Sequence, residues 1–130
     1  AVAIAHALGC EVNDLLPTQS TAIHRQQDHL LVTDATNGIV RRTLARPSVD
    51  IELLSYSVPT GAQSPKFPPH KKGALEIFYM LAGALKIHAG NEIFELYQGD
   101  SAVITVDVEH WFLNSGDTTA EFTLLILDTH

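Results

Sequence analysis

The feature that most constrains this chain is a series of short β-branched and apolar runs that recur at even spacing from Leu30 onward. The runs cover residues 38–44, 49–58, 74–81, 84–89, 92–97, 101–106, 109–113 and 120–127. Turn sequences separate them, including a tight Gly90-Asn91 turn and a loop rich in proline and glycine at 59–69. Short strands with regular turns are typical of a β-sandwich or barrel, so the predicted fold class is mainly β.

The length and composition fit one domain. The chain has 130 residues, 45% of them hydrophobic, which is enough for one core and hardly enough for two. Cys10 is the single cysteine, so no intramolecular disulfide can form, and a cytoplasmic location is expected. The longest apolar runs are far too short to cross a bilayer, so no membrane partner is expected.

The chain divides into three predicted parts. Residues 1–17 carry a short N-terminal helical segment, with apolar residues at helical spacing before Gly9 and a second turn that ends at Pro17. Residues 18–29 are polar and aperiodic, as in a linker. Residues 30–130 form the β domain. The net charge of −7 repels a phosphate backbone, so the chain shown is not itself the part that grips DNA.

Two segments of the β domain carry a recognisable spacing. In the first, His70, Glu76 and Gly83 match a pattern of two histidines one residue apart, then a glutamate and a glycine. Lys72 stands where the second histidine is usual, which is a departure.

The second segment places Gly99, His110 and Asn114 at the spacing of a glycine, histidine and asparagine motif. Thr105 and Asp107 stand where proline and glycine are usual. On these two motifs the β domain resembles the cupin family, and the resemblance implies a jelly-roll barrel.

The alternation of strand side chains predicts a metal site in this barrel. Glu76 shares one strand face with Phe78 and Met80, and His110 shares a face with Phe112. If both faces point inward, a carboxylate and an imidazole meet inside an apolar cup, with a second imidazole at its mouth. Two histidines and one carboxylate with open positions suit one divalent metal, Zn, Fe, Mn or Ni. The candidate ligands are His70, Glu76 and His110.

A metal-free alternative stays open at this point. The ammonium of Lys72 would pair with Glu76 and replace the charge of a metal. Lys72 and His110 would then hold the carboxylate of a small acid against an apolar wall. The candidate wall residues are Tyr56, Phe78, Met80 and Phe112. Alternatively, these side chains are only part of the hydrophobic core and contact no ligand.

The first seventeen residues carry a second resemblance. The segments 4–9 (IAHALG) and 13–16 (NDLL) resemble the end of an Xre-type helix-turn-helix domain. The order of helix-turn-helix ending, polar linker and cupin barrel resembles that of bacterial transcriptional regulators. An unrelated amphipathic arm would have a similar pattern, so this alternative stays open as well.

The two resemblances together imply the ligand-sensing domain of a transcriptional regulator rather than an enzyme. The expected partners are a small-molecule effector, a second copy of the chain in a homodimer, and DNA bound through an N-terminal domain missing from this chain. The alternative is a metal-dependent cupin enzyme, a dioxygenase or isomerase. Storage cupins usually carry two barrels, and this length fits one.

Overall fold

The computed structural model describes residues 21–128, and this part of the chain is mainly β. A short 3₁₀ turn, Gln26–Asp28, precedes the strands. The strands are β1 (Leu30–Thr33), β2 (Val40–Ser48), β3 (Ile51–Val58), β4 (Leu75–Ala82), β5 (Ala84–Ala89), β6 (Glu92–Tyr97), β7 (Ser101–Thr105), β8 (His110–Leu113) and β9 (Ala120–Leu127). The eight predicted runs correspond to β2–β9, which confirms the predicted fold class. The predicted helical segment at 1–17 lies outside the described residues.

The strands form two antiparallel sheets. The larger sheet has six strands in the order β1-β2-β3-β9-β4-β7, and the smaller one has three in the order β6-β5-β8. Sequence neighbours β4 and β5 lie in different sheets, so the chain passes between the sheets repeatedly, as in a jelly roll. The inward faces of both sheets enclose the core.

Aromatic rings close one end of the space between the sheets. Phe122 on β9 stacks against Tyr56, with ring centroids 5.2 Å apart, and meets Phe112 edge to face at 5.3 Å. Met80 pairs in register with Phe122 and is fully buried. Because these side chains fill this end, the remaining space lies toward the other end of β4 and β9.

The loop between β3 and β4 is tied along β8. The Ser64 amide donates a 2.8 Å hydrogen bond to the Phe112 carbonyl, and the Phe112 amide returns one of 3.0 Å to the Ser64 hydroxyl. Phe67 and His110 form an isolated antiparallel bridge farther on. The His70 amide donates to the Val106 carbonyl at 2.8 Å. These bonds place Phe67 and His70 at the opening between the sheets. No helix in residues 21–128 has the length and apolar character needed to cross a membrane.

Candidate metal and ligand site

The sheets enclose a cavity of about 180 Å³ with mostly apolar walls. The larger sheet contributes Leu54, Phe78, Ile104, Leu124 and Ile126, and the smaller sheet contributes Ile87 and Phe112. Pockets for drug-sized ligands usually measure roughly 300–1,000 Å³. This cavity therefore suits a small molecule with an apolar body.

Glu76 brings a carboxylate to the interior from the second residue of β4. It pairs with Ile126 on one side and with Ile104 on the other, and both of these side chains line the cavity. The side chain of Glu76 is 8% exposed. A carboxylate at this depth requires a compensating charge or hydrogen bonds.

His110 faces Glu76 from the first residue of β8. Its Nδ1 lies 2.9 Å from the Val108 carbonyl oxygen, so Nδ1 carries the proton and donates it there. Its Nε2 lies 3.6 Å from Glu76 Oε2, too far for a hydrogen bond, and it is buried without a hydrogen-bond partner.

The protonation of His110 reflects opposing effects. Burial lowers the pKa of His110, but the Glu76 carboxylate and the Val108 carbonyl together outweigh burial and raise it above the usual value. The Glu76 carboxylate thus favours a positive charge at Nε2 of His110.

His70 completes the group from the loop before β4. Its Nδ1 lies 3.6 Å from Asp128 Oδ2, and its ring centroid lies 5.3 Å from that of His110. With Nδ1 facing a carboxylate, Nε2 is the nitrogen available to the cavity. A carboxylate behind a ligating histidine is the usual arrangement in metal sites, because it fixes the ring and raises its basicity.

The donor set fits one divalent metal ion. One ligand atom from each of His70, Glu76 and His110 lies within 4.8 Å of the other two. The decisive detail is His110 Nε2, which is buried without a hydrogen-bond partner. Such an atom lowers the stability of the fold unless a ligand binds to it. Imidazole and carboxylate ligands suit Zn, Fe, Mn or Ni.

The structure brings most of the sequence-predicted ligand residues to this cavity. Tyr56, Phe78, His110 and Phe112 line it. Met80 does not, because it is packed in the aromatic end of the core.

Lys72 is placed away from the cavity. It is exposed, in a turn closed by a hydrogen bond from the Ala74 amide to the Lys71 carbonyl, and it is not part of the cavity wall. The pairing of Lys72 with Glu76 that the metal-free alternative requires is therefore not found.

The lining residues that sequence reasoning did not single out include Arg41, Glu52, Phe67 and Trp111. Strand alternation gave a partial signal for Arg41. One of the adjacent residues Arg41 and Arg42 must face inward, but alternation alone does not show which one. Strand alternation turns Trp111 away from its neighbour His110. Trp111 stacks on His88, with ring centroids 4.5 Å apart, and it also borders the cavity. Phe67 reaches the wall through the loop bridge, which no strand pattern indicates.

The fold and the site define a jelly-roll barrel with a His-Glu-His group beside a small apolar cavity, in which Glu76 and His110 are buried and His70 is half-buried. The chain belongs to the cupin family: the Cupin_2 model, described as a cupin domain, matches residues 55–127. No curated protein matches the chain.

Solved structures with the same fold include regulators and a predicted enzyme. The Cupin_2 domain of an XRE family transcriptional regulator from Enterobacter cloacae is 23% identical, with a TM-score of 0.64 over 71% of this chain and 98% of that chain. An HTH_3 family transcriptional regulator from Vibrio cholerae is 20% identical, with a TM-score of 0.62 over 71% of this chain and 52% of that one, so this chain spans about half its length. A predicted oxalate decarboxylase from Thermotoga maritima is 17% identical, with a TM-score of 0.66 over 83% of this chain and 100% of that one. At these identities the likeness shows the fold alone.

Proposed function

We propose that this barrel is the ligand-sensing domain of a cytoplasmic, DNA-binding transcriptional regulator, and that its cavity takes a small metabolite beside one divalent metal ion. The observation that carries the proposal is the mostly apolar cavity between the sheets, with the His-Glu-His group in its wall. Among the described residues, the cavity lining includes no serine, threonine, cysteine or lysine, so no side-chain nucleophile of these types faces a bound molecule. Such a cavity is suited to recognition.

The regulator assignment draws on two further features. Residues 1–17 resemble the end of an Xre-type helix-turn-helix domain, and two proteins with the same fold are transcriptional regulators. DNA contact would belong to a domain preceding the barrel, since the acidic barrel itself repels phosphate.

A second copy of the chain is the proposed partner of the outer face of the larger sheet. In register, Leu53, Leu125, Ile77 and Val103 form one row across four strands, and Ile51, Leu127 and Leu75 form the next. We call these seven residues the outer apolar face. None of them belongs to the hydrophobic core or packs against it. An apolar sheet face suits sheet-to-sheet packing about a two-fold axis, in which both copies bury the same residues.

Native mass spectrometry of freshly purified protein, with metal analysis on the same sample, tests the proposal. We expect a dimer that carries one small molecule per chain together with a divalent metal. An empty cavity in every preparation, with no small molecule from a metabolite panel raising the melting temperature, would overturn the sensor assignment.

A metal-dependent cupin enzyme is the second candidate, a dioxygenase or isomerase. The His-Glu-His group favours it, because three protein ligands leave coordination positions open for a substrate. Retention of one redox-active metal per chain, with oxygen-dependent turnover of a small substrate, would establish this alternative. The same turnover assay with His110→Gln is the control, because a contaminating activity would survive that change.

A further inference from the structure

Arg41 brings a guanidinium group to the cavity wall. It lies on β2 directly opposite Tyr56 on β3, and because paired residues share a face, both side chains point to the interior. Arg41 also lines a neighbouring cavity of about 150 Å³, whose wall shares Tyr56, Phe67 and Phe112 with the first. The guanidinium thus lies where the two cavities adjoin.

No protein carboxylate neutralises this guanidinium in the part of the chain that the structure describes. The ion pairs His70–Asp128, Lys86–Glu95 and His110–Glu76 do not include Arg41. Glu52 lines the same cavity without coming within ion-pair distance of Arg41. A partly buried guanidinium keeps its charge at any ordinary pH, so it favours a negatively charged group at its own position in the wall.

Tyr56 adds a neutral donor beside the guanidinium. Burial raises the pKa of Tyr56, although the positive charge of Arg41 opposes this, so the phenol keeps its proton near neutral pH. The hydroxyl and the guanidinium together resemble the donor sets that bind carboxylates.

The charges of the cavity depend on the metal. The two carboxylates of Glu52 and Glu76 and the guanidinium of Arg41 give the cavity wall a net formal charge of one negative when the imidazoles are neutral. A divalent ion held by His70, Glu76 and His110 would change this to one positive charge. One monoanion then restores neutrality, so anion binding and metal binding should favour each other.

We propose that Arg41 is the carboxylate anchor of this cavity and that its ligand is a small monocarboxylic acid with an apolar body. This inference rests on the proposed sensor function, since it names the ligand class of that same cavity. The planar guanidinium takes the carboxylate through two parallel hydrogen bonds. Phe67 and Phe112 border both cavities and would contact the apolar body.

The test uses butyrate and its neutral isostere butyramide as probes, titrated into the protein loaded with one equivalent of Zn²⁺ and followed by saturation-transfer NMR. We expect butyrate to bind at least about tenfold more tightly than butyramide, because only the carboxylate forms charge-assisted hydrogen bonds. Arg41→Gln should weaken butyrate binding at least about tenfold and leave butyramide binding unchanged, and Arg41→Lys should give an intermediate affinity. Arg46→Gln, at an exposed arginine on the same strand, is the matched control and should bind both probes like the unchanged protein.

Each outcome decides between the two proposals. Butyrate binding that survives Arg41→Gln, or equal binding of butyrate and butyramide, would overturn the anchor and leave the sensor function standing. If neither probe binds and no small molecule co-purifies with the protein, both proposals fail. The comparison of the two probes on the unchanged protein remains decisive even if the Arg41 variants do not fold.

Discussion

Two buried polar residues in and next to β8, Asn114 and His110, differ in whether their side-chain atoms have hydrogen-bond partners. Asn114 is fully buried and fully satisfied: its Nδ2 donates to the Val58 and Thr118 carbonyls at 3.0 and 2.8 Å, and its Oδ1 accepts from the Gly116 amide at 2.9 Å. His110 is equally buried, yet its Nε2 has no hydrogen-bond partner. A satisfied polar group stabilises the fold, whereas an unsatisfied one facing a cavity can bind a ligand there.

Replacing Asn114 should therefore affect stability. Asn114→Ala leaves buried carbonyls and an amide without partners, and we expect a loss of about 2–4 kcal/mol of unfolding free energy, measured by urea denaturation. Asn91→Ala, at an exposed hairpin turn, should change stability by less than about 1 kcal/mol. Equal stabilities for the two variants would contradict the structural role of Asn114.

Asp128 should act on metal affinity through His70. Its carboxylate lies 3.6 Å from His70 Nδ1, so Asp128→Asn removes the charge that orients and polarises that ring. We expect the affinity for Zn²⁺, measured by competition with a chromophoric chelator, to fall about 10–100-fold with little change in fold. Asp107→Asn, at an exposed position, is the control. An unchanged affinity for Asp128→Asn would show that His70 needs no support from this carboxylate.

At the scale of elements, alternation predicted β2–β9 but not the direction of every side chain. β1 lies in the predicted β domain but was not predicted as a run of its own, because its sequence LLVT shows no alternation of apolar and polar residues. β2 contains register shifts between Thr43 and Ala45 and between Ala45 and Ser48, so its pattern does not reveal that Arg41 faces inward.

The candidate site could be predicted where strand periodicity and motif spacing agreed. The motif spacing of His70, Glu76 and His110 singled out the three residues that the fold brings together. Lys72 was misplaced, because it precedes β4 in a turn with Gly73 at φ +92°, and strand alternation does not extend into that turn. Phe67 depends on a loop bridge between distant residues, which periodicity does not indicate.

Gly83, between β4 and β5, is the position where backbone geometry most strictly requires glycine. Its φ is +77°, and a Cβ there would lie 2.6 Å from the Thr119 carbonyl oxygen and 2.9 Å from the Ala120 Cα. We expect Gly83→Ala to lower the unfolding free energy by about 3 kcal/mol or more, from backbone strain and overpacking together, as measured by urea denaturation.

Gly99→Ala is the matched control for this prediction. Gly99 has a similar φ of +88°, but a Cβ there would have no atom within 4 Å. This variant therefore bears the conformational cost alone, about 1–2 kcal/mol. Equal losses for both glycines would show that the contact with Thr119 and Ala120 is relieved at no cost.

At the scale of the whole molecule, one strand joins the cavity to the linker. Arg41 on β2 faces the cavity, and the next residue, Arg42, donates from Nη1 to the Gln26 carbonyl at 3.2 Å, in the 3₁₀ turn that precedes β1. A shift of β2 on ligand binding would therefore reach the linker through adjacent residues. In the proposed regulator, this hydrogen bond would connect the strand that lines the cavity to the residues that precede β1.

In the proposed dimer, the outer apolar face would form the interface between the two copies. Val103 is 64% exposed in the isolated chain and lies at the edge of that face, so Val103→Glu should leave the fold intact and place a charge in the interface on both copies. We expect sedimentation at micromolar concentration to show a dimer for the unchanged protein and a monomer for Val103→Glu, with equal melting transitions at high dilution. Ile93→Glu, at a residue 59% exposed on the smaller sheet, makes the same chemical change away from this face and should remain dimeric. If Ile93→Glu separates the copies and Val103→Glu does not, the smaller sheet forms the interface, and the row of aliphatic residues across the larger sheet must face another partner.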